Sequence, residues 1–164
     1  MKKVYRNQTF EVFLTEFQKE SFWNTAISCR RVHNHFLRVL GESGKPTNMK
    51  TLGELHKELI KMKGQERYCY LKDADSQALN ATIFWVFNKF KKDPEAKPII
   101  GRMKEWTCCL HRFSGMCVSG NHVNLPKLKW VELSEEPIFK GAAVKCSITG
   151  DWEQDRYWVE LFWK

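Results

Sequence analysis

Five side chains able to hold a metal, Cys108, Cys109, His111, Cys117 and His122, fall within fifteen residues of one another. Thiolate and imidazole are the donors zinc takes, and a tetrahedral site needs spaced pairs so that two donors straddle one ion. Adjacent Cys108-Cys109 lacks that spacing. These thiols therefore read as buried or incidental, and the sequence predicts no metal. Two-metal nuclease chemistry needs converging carboxylates. Here Asp73 and Asp75 flank a helix start, Glu135-Glu136 precede a proline, and Asp151 and Asp155 sit in a turn. Several Cys–His pairs exist for nucleophilic catalysis, but no local signature orders them. The expectation is a protein that is not an enzyme and carries no cofactor.

Basic residues are better organised. Arg30, Arg31, His33, Asn34 and Arg38 lie within about two and a half turns of one predicted helix. Lys89, Lys91, Lys92, Lys97, Arg102, Lys104 and Arg112 form a second run, interleaved with Trp106 and Phe113. Guanidinium groups grip phosphates and guanine edges in bidentate fashion, and aromatic rings stack bases. Between the two runs, Ser76, Gln77 and Asn80 decorate a helix start, where free backbone amides suit an anion, with Lys91 and Lys92 at the basic end. The ordinary alternative is a solvated helix face with several tryptophans in the core. A formal net charge of +8 over 164 residues favours a polyanionic partner, nucleic acid before an anionic membrane surface.

The elements that must position these groups follow from periodicity. Residues 3–14 alternate as one strand, with Val4, Phe10 and Val12 on one face and Tyr5 and Phe13 on the other. Thr15 and Gln18 form a capping box for a helix reaching Leu40, with Phe22, Ala26, Cys29, His33, Phe36, Leu37 and Leu40 as its buried stripe. A second capping box, Thr51 with Glu54, starts a helix striped by Leu52, Leu55, Leu59 and Met62 and stopped by Gly64. Tyr68 to Leu71 leads into a stretch that opens at Leu71 as an extended entry to a third helix. Asp75 or Ser76 caps that helix, Leu79, Ile83, Val86, Phe87 and Phe90 form its stripe, and Pro94 ends it. Residues 99–117 read as an irregular connector. From Val118 the pattern is β: a turn at Gly120-Asn121-His122, a short strand from Leu125-Pro126 to Leu133, and a hairpin pairing 142–149 with 157–163.

The fold expectation is α+β, an OB-like antiparallel β-barrel from residues 1–14 and 118–164, with a three-helix lobe inserted over 15–98. No apolar run approaches the roughly 20 residues of a membrane span, and no secretory leader opens the chain. Six cysteines at irregular spacing then read as reduced thiols in a cytoplasmic protein.

Four segments carry a family resemblance. Cys29-Arg30-Arg31-Val32-His33-Asn34-His35-Phe36-Leu37 resembles the Cys-Arg-x-Val-x-Asn-x-x-Leu helix of TnpB proteins, transposon-encoded RNA-guided nucleases related to type V CRISPR effectors. Phe10 to Gln18 is similar to their opening strand and helix start, with Leu14 in place of the usual proline. Leu71-Lys72-Asp73-Ala74-Asp75-Ser76-Gln77-Ala78-Leu79 resembles their Leu-Lys-acid-Val-x-Ser-Gln-Ala-Leu segment, and Val123 to Val131 resembles their Ile-x-Leu-Pro-Lys-x-Gly-Trp-Val strand. The Lys-rich segment that follows the third helix in the family is replaced here by residues 99–106.

The resemblance implies a wedge barrel carrying an inserted recognition lobe, the two parts that hold guide-RNA scaffold and read the adjacent duplex in the family. It implies Arg30, Arg31, Asn34, Lys72, Ser76, Gln77 and Asn80 as nucleic-acid contacts. Because the chain stops at Lys164, the RuvC nuclease half and the later zinc ribbon are expected to be absent. The expected partner is a structured guide-type RNA, with target-adjacent duplex DNA or a type V effector as further partners. The chain would then regulate or inhibit an effector, as an anti-CRISPR or guide-RNA competitor. Three alternatives stand beside this. One is a protein-binding subunit that docks on a separate nuclease half or inhibits an effector by contact. The others are a DNA-binding repressor using the Arg30–Arg38 helix and a decaying fragment.

Overall fold

The structure, a computed structural model, describes residues 3–164, apart from the side chain of Phe113. Met1 and Lys2, like the Phe113 ring counted in the second basic run, lie outside the described residues. The described residues form an α+β protein with three α-helices, one 3-10 helix and a seven-stranded antiparallel sheet. It divides into two compact units: residues 1–23 with 103–164, and residues 24–102.

The first unit holds the sheet. Its strands are β1 (Arg6–Phe13), β2 (Glu105–Met116), β3 (Val118–Ser119), β4 (His122–Leu125), β5 (Lys129–Leu133), β6 (Ala143–Asp151) and β7 (Arg156–Trp163). They are ordered β2-β6-β7-β1-β5-β4-β3, so the N-terminal strand lies in the middle. The register pairs Phe10 with Val159 and Val12 with both Tyr157 and Leu133. Alternation puts Phe10, Val12, Cys146, Ile148, Val159 and Leu161 on the buried face, each worth roughly 1.5–3 kcal/mol for the larger chains. Val4 and Phe13 are exposed. Only Phe10 and Val12 of the face predicted for the first strand are therefore core. The order is open, with β2 and β3 at its ends. A side-chain bond reaches across near the ends, from Arg112 on β2 to Asn124 Oδ1 on β4 at 3.3 Å.

Two sequence expectations in this unit are corrected. Residues 105–116 are a strand, not an irregular connector. Its ladder to β6 slips between His111 and Met116, where Gly115 adopts φ 80°, and that bulge breaks the alternation a sequence pattern relies on. Likewise Leu125 ends β4 rather than starting a strand. The chain turns through Pro126 to Leu128, and Lys127 and Lys129 both have positive φ. Gln18 stabilises that turn. Its buried side-chain amide donates to the carbonyls of Leu128 (3.0 Å) and Trp130 (2.8 Å), while its Oε1 accepts from Thr15 N in the capping box foreseen at the start of α1. Helix α1 (Glu16–Ser43) gives its first turns to this unit. There Phe22 and Trp23 pack edge-on with Tyr157, and Trp23 Nε1 donates to the Tyr157 hydroxyl at 2.9 Å.

The second unit holds the rest of α1, α2 (Met49–Lys63), a 3-10 helix (Glu66–Lys72) and α3 (Ser76–Lys92). The apolar stripes are buried as periodicity requires, except that Phe90 on α3 is only half-buried: Ala26, Cys29, Phe36 and Leu40 on α1; Leu52, Leu55, Leu59 and Met62 on α2; Leu79, Ile83, Val86 and Phe87 on α3. Asn48, not Thr51, caps α2, its Oδ1 accepting from Thr51 N at 3.0 Å. The Thr51 hydroxyl instead donates to Pro46 O. The extended entry predicted to open at Leu71 is instead the end of the 3-10 helix, which is kinked at Tyr68 (φ -115°, ψ 18°) and holds Leu71 wholly buried. Its Arg-Tyr-Cys-Tyr sequence has no helical or strand period, and the buried Leu71 anchors its end.

Candidate nucleic-acid interface

Helix α3 begins where Asp75 caps it: Asp75 Oδ1 accepts from Ala78 N at 2.8 Å, and Asp75 N donates to Thr25 Oγ1 at 3.3 Å. The cap is buried, which leaves Ser76 and Gln77 exposed on the first turn and Asn80 half-buried one turn on. Lys63 reaches Ser76 Oγ at 3.3 Å, and Lys72 is exposed just before the cap. At the other end Lys89, Lys91 and Lys92 fill the last turn, complementing the helix dipole, with Lys91 and Lys92 open to solvent.

On α1 the predicted contacts separate into two groups. Arg31 is exposed, its guanidinium 4.7 Å from the centre of the Tyr70 ring. Arg38 is exposed and 3.2 Å from Glu42 one turn on, a pairing worth little in water. Arg30 and Asn34 point at their own chain instead. Arg30 donates to Gly101 O at 2.8 Å, and Asn34 brackets the backbone of Ile99. Beneath them His33 is fully buried, its Nδ1 2.9 Å from Asn34 Oδ1 and its Nε2 3.4 Å from Lys89 Nζ. A carboxamide oxygen only accepts, so Nδ1 carries the proton and Nε2 faces the lysine as an acceptor. Burial, and to a smaller degree the Lys89 charge, push the His33 pKa below its ordinary value, opposed by the Asn34 bond.

Arg102 is exposed at the end of this unit. Lys104 and Arg112 belong to the sheet unit, Lys104 exposed and Arg112 half-buried against Asn124. Of the thirteen predicted contacts, eleven lie within residues 24–102 and two belong to the sheet unit. The thiols are dispersed as well. Cys108 and Cys109 alternate to opposite faces of β2, the first buried and the second half-buried, while His111, Cys117 and His122 are exposed. Among the described residues no three His, Cys, Asp or Glu side chains are grouped for a metal.

Charge is divided unequally between the units. Residues 24–102 contain fifteen lysines and arginines against eight aspartates and glutamates, an excess of +7 of the chain's +8. The remainder contains twelve against eleven. Pattern reasoning also passed over the cation–aromatic pairs of the helical unit. Arg67 lies 4.5 Å over Tyr68, beside Arg31 over Tyr70, and Lys89 lies 5.5 Å from Trp85, whose ring is about half exposed. The alternation Arg67-Tyr68-Cys69-Tyr70 was the available signal. No protein-family model matches the chain, and no curated protein matches it either.

Proposed function

We propose that this chain is a non-catalytic RNA-binding module built on the plan of the TnpB N-terminal half: an OB-like wedge barrel interrupted after its first strand by a helical lobe that grips a guide-type RNA. The observation that carries the reading is the charge division, +7 on the helical unit against +1 on the sheet unit. Phosphate neutralisation supplies most sequence-independent affinity for nucleic acid, so the unit with the excess is the one expected to hold the backbone. Arg31 over Tyr70 and Arg67 over Tyr68 add flat, cationic surfaces on which unpaired RNA bases stack. The placing of β1 between β7 and β5, with all the helices falling between β1 and β2 in the chain, supports the interrupted-barrel plan. Held by such a module, a guide-type RNA is withheld from a type V effector, which makes the chain a competitor or regulator.

The test is purification from the native host followed by sequencing of co-purifying nucleic acid. A defined small structured RNA is expected. Protein free of nucleic acid that also fails to bind that class of RNA in vitro overturns the reading, and a sequence-specific duplex DNA footprint would replace it with a repressor.

A further inference from the structure

Three basic side chains of the helical unit, Lys57, Lys61 and Arg67, line a cavity of about 530 Å³. That volume falls in the range of small-molecule sites, about 300–1,000 Å³. One wall is the outer face of α2, where Lys57 and Lys61 stand one turn apart. The other is the start of the 3-10 helix, with Arg67 lying over the Tyr68 ring and donating to its hydroxyl. Met62, buried, supplies an apolar floor.

The cavity also contains two carboxylates, and both are engaged. Glu54 accepts from Lys45 at 2.7 Å, which with the neighbouring lysines holds its carboxyl below the ordinary range. Glu58 lies 3.2 Å from His35 Nε2. Lys57, Lys61 and Arg67 have no carboxylate within 4 Å among the described residues. Two lysines without a carboxylate partner, beside a tyrosine ring capped by Arg67, ask for a ligand with more than one negative charge and a flat group attached to it. A phosphodiester inside a strand carries a single charge, whereas a terminal phosphate carries about 1.5 to 2 at neutral pH.

We propose that this cavity binds a nucleoside monophosphate group, its phosphate between Lys57, Lys61 and Arg67 and its base against the Arg67–Tyr68 pair. The group can arrive as the 5′-phosphorylated end of an RNA, a source that rests on the RNA-binding reading above, or as a free mononucleotide, which does not.

The experiment compares one oligoribonucleotide bearing a 5′-phosphate with the same oligonucleotide bearing a 5′-hydroxyl, alongside AMP alone, on wild-type protein and on Lys57→Gln/Lys61→Gln. Both lysines are exposed, so the variant is expected to keep the fold, checked by its melting curve. The phosphorylated RNA should bind about tenfold tighter than the hydroxyl form, the scale of charge-assisted contacts to one phosphate. In the variant that ratio should fall to near one. RNA that binds equally well with either end, with no binding of AMP, overturns the cavity assignment and leaves the RNA-binding reading standing. AMP binding that the variant loses, with no binding of either RNA, supports the cavity with a free nucleotide as its ligand and overturns the RNA reading. No binding of any probe overturns both.

Discussion

The Asn34 side chain closes a two-point bracket on the backbone of Ile99, 65 residues further along the chain. Its Nδ2 donates to Ile99 O at 2.8 Å and its Oδ1 accepts from Ile99 N at 2.8 Å. A carboxamide is the one side chain that presents a donor and an acceptor in the spacing of a peptide group, so it pairs with a residue as a neighbouring strand would. Asn34→Asp keeps the volume but sets a carboxylate oxygen against the Ile99 carbonyl. That variant should lose about 1–3 kcal/mol, the cost of leaving part-buried polar groups unpaired, and should unfold at lower temperature than wild type. Hydrogen exchange at the Ile99 amide gives the local readout, and unchanged protection would remove the bracket from the account.

His33 makes the helical unit sensitive to acid. Its folded pKa is depressed, first by burial, so as pH falls the unfolded chain binds a proton that the folded chain resists. The stabilising difference is present above the unfolded pKa, near 6.5, and is lost as pH falls through that value. Melting temperature should therefore drop between about pH 7.5 and 5. His33→Asn, which retains a donor for Asn34 Oδ1, should flatten that slope even where it lowers stability throughout. An equally steep slope in the variant would assign the effect to other groups.

In the sheet unit, Gly150 stands opposite Tyr157 in the β6–β7 ladder, beneath the Phe22 ring of α1. A Cβ at this position would lie 2.5 Å from Phe22 Cε1 and 2.9 Å from Tyr157 Cε1. Gly150→Ala is expected to cost about 1–3 kcal/mol through overpacking. Adding Phe22→Leu removes the nearest ring and should recover part of the loss, which denaturant titration of the single and double variants would measure.

Much of this architecture was legible because the patterns are long. The stripe from Ala26 to Leu40 and the hairpin ending at Trp163 each repeat a period over several turns or residues, the Thr15–Gln18 box is a specific local pair, and all are found. Strand β2 was missed because its glycine bulge breaks the period, and the 3-10 helix because seven residues are too few to show one. The α1 basic face was read from helix geometry and from the resemblance of Cys29–Leu37. That geometry cannot tell that residues 99–101, remote in sequence, lie alongside and occupy Arg30 and Asn34.

That distinction separates the two adjacent arginines experimentally. Arg31 is exposed with a guanidinium over Tyr70, free to meet a phosphate or a base, whereas the Arg30 guanidinium is committed to Gly101 O. Arg31→Ala should weaken RNA binding and lower the slope of log K against log salt by about 0.7–1, the signature of one lost phosphate contact. Its melting temperature should change little, since exposed substitutions are usually within about 0.5 kcal/mol. Arg30→Ala should show the reverse, a lower melting temperature with the salt slope retained, because what it removes is a hydrogen bond within the fold. Equal salt slopes in wild type and Arg31→Ala would take that guanidinium out of the interface.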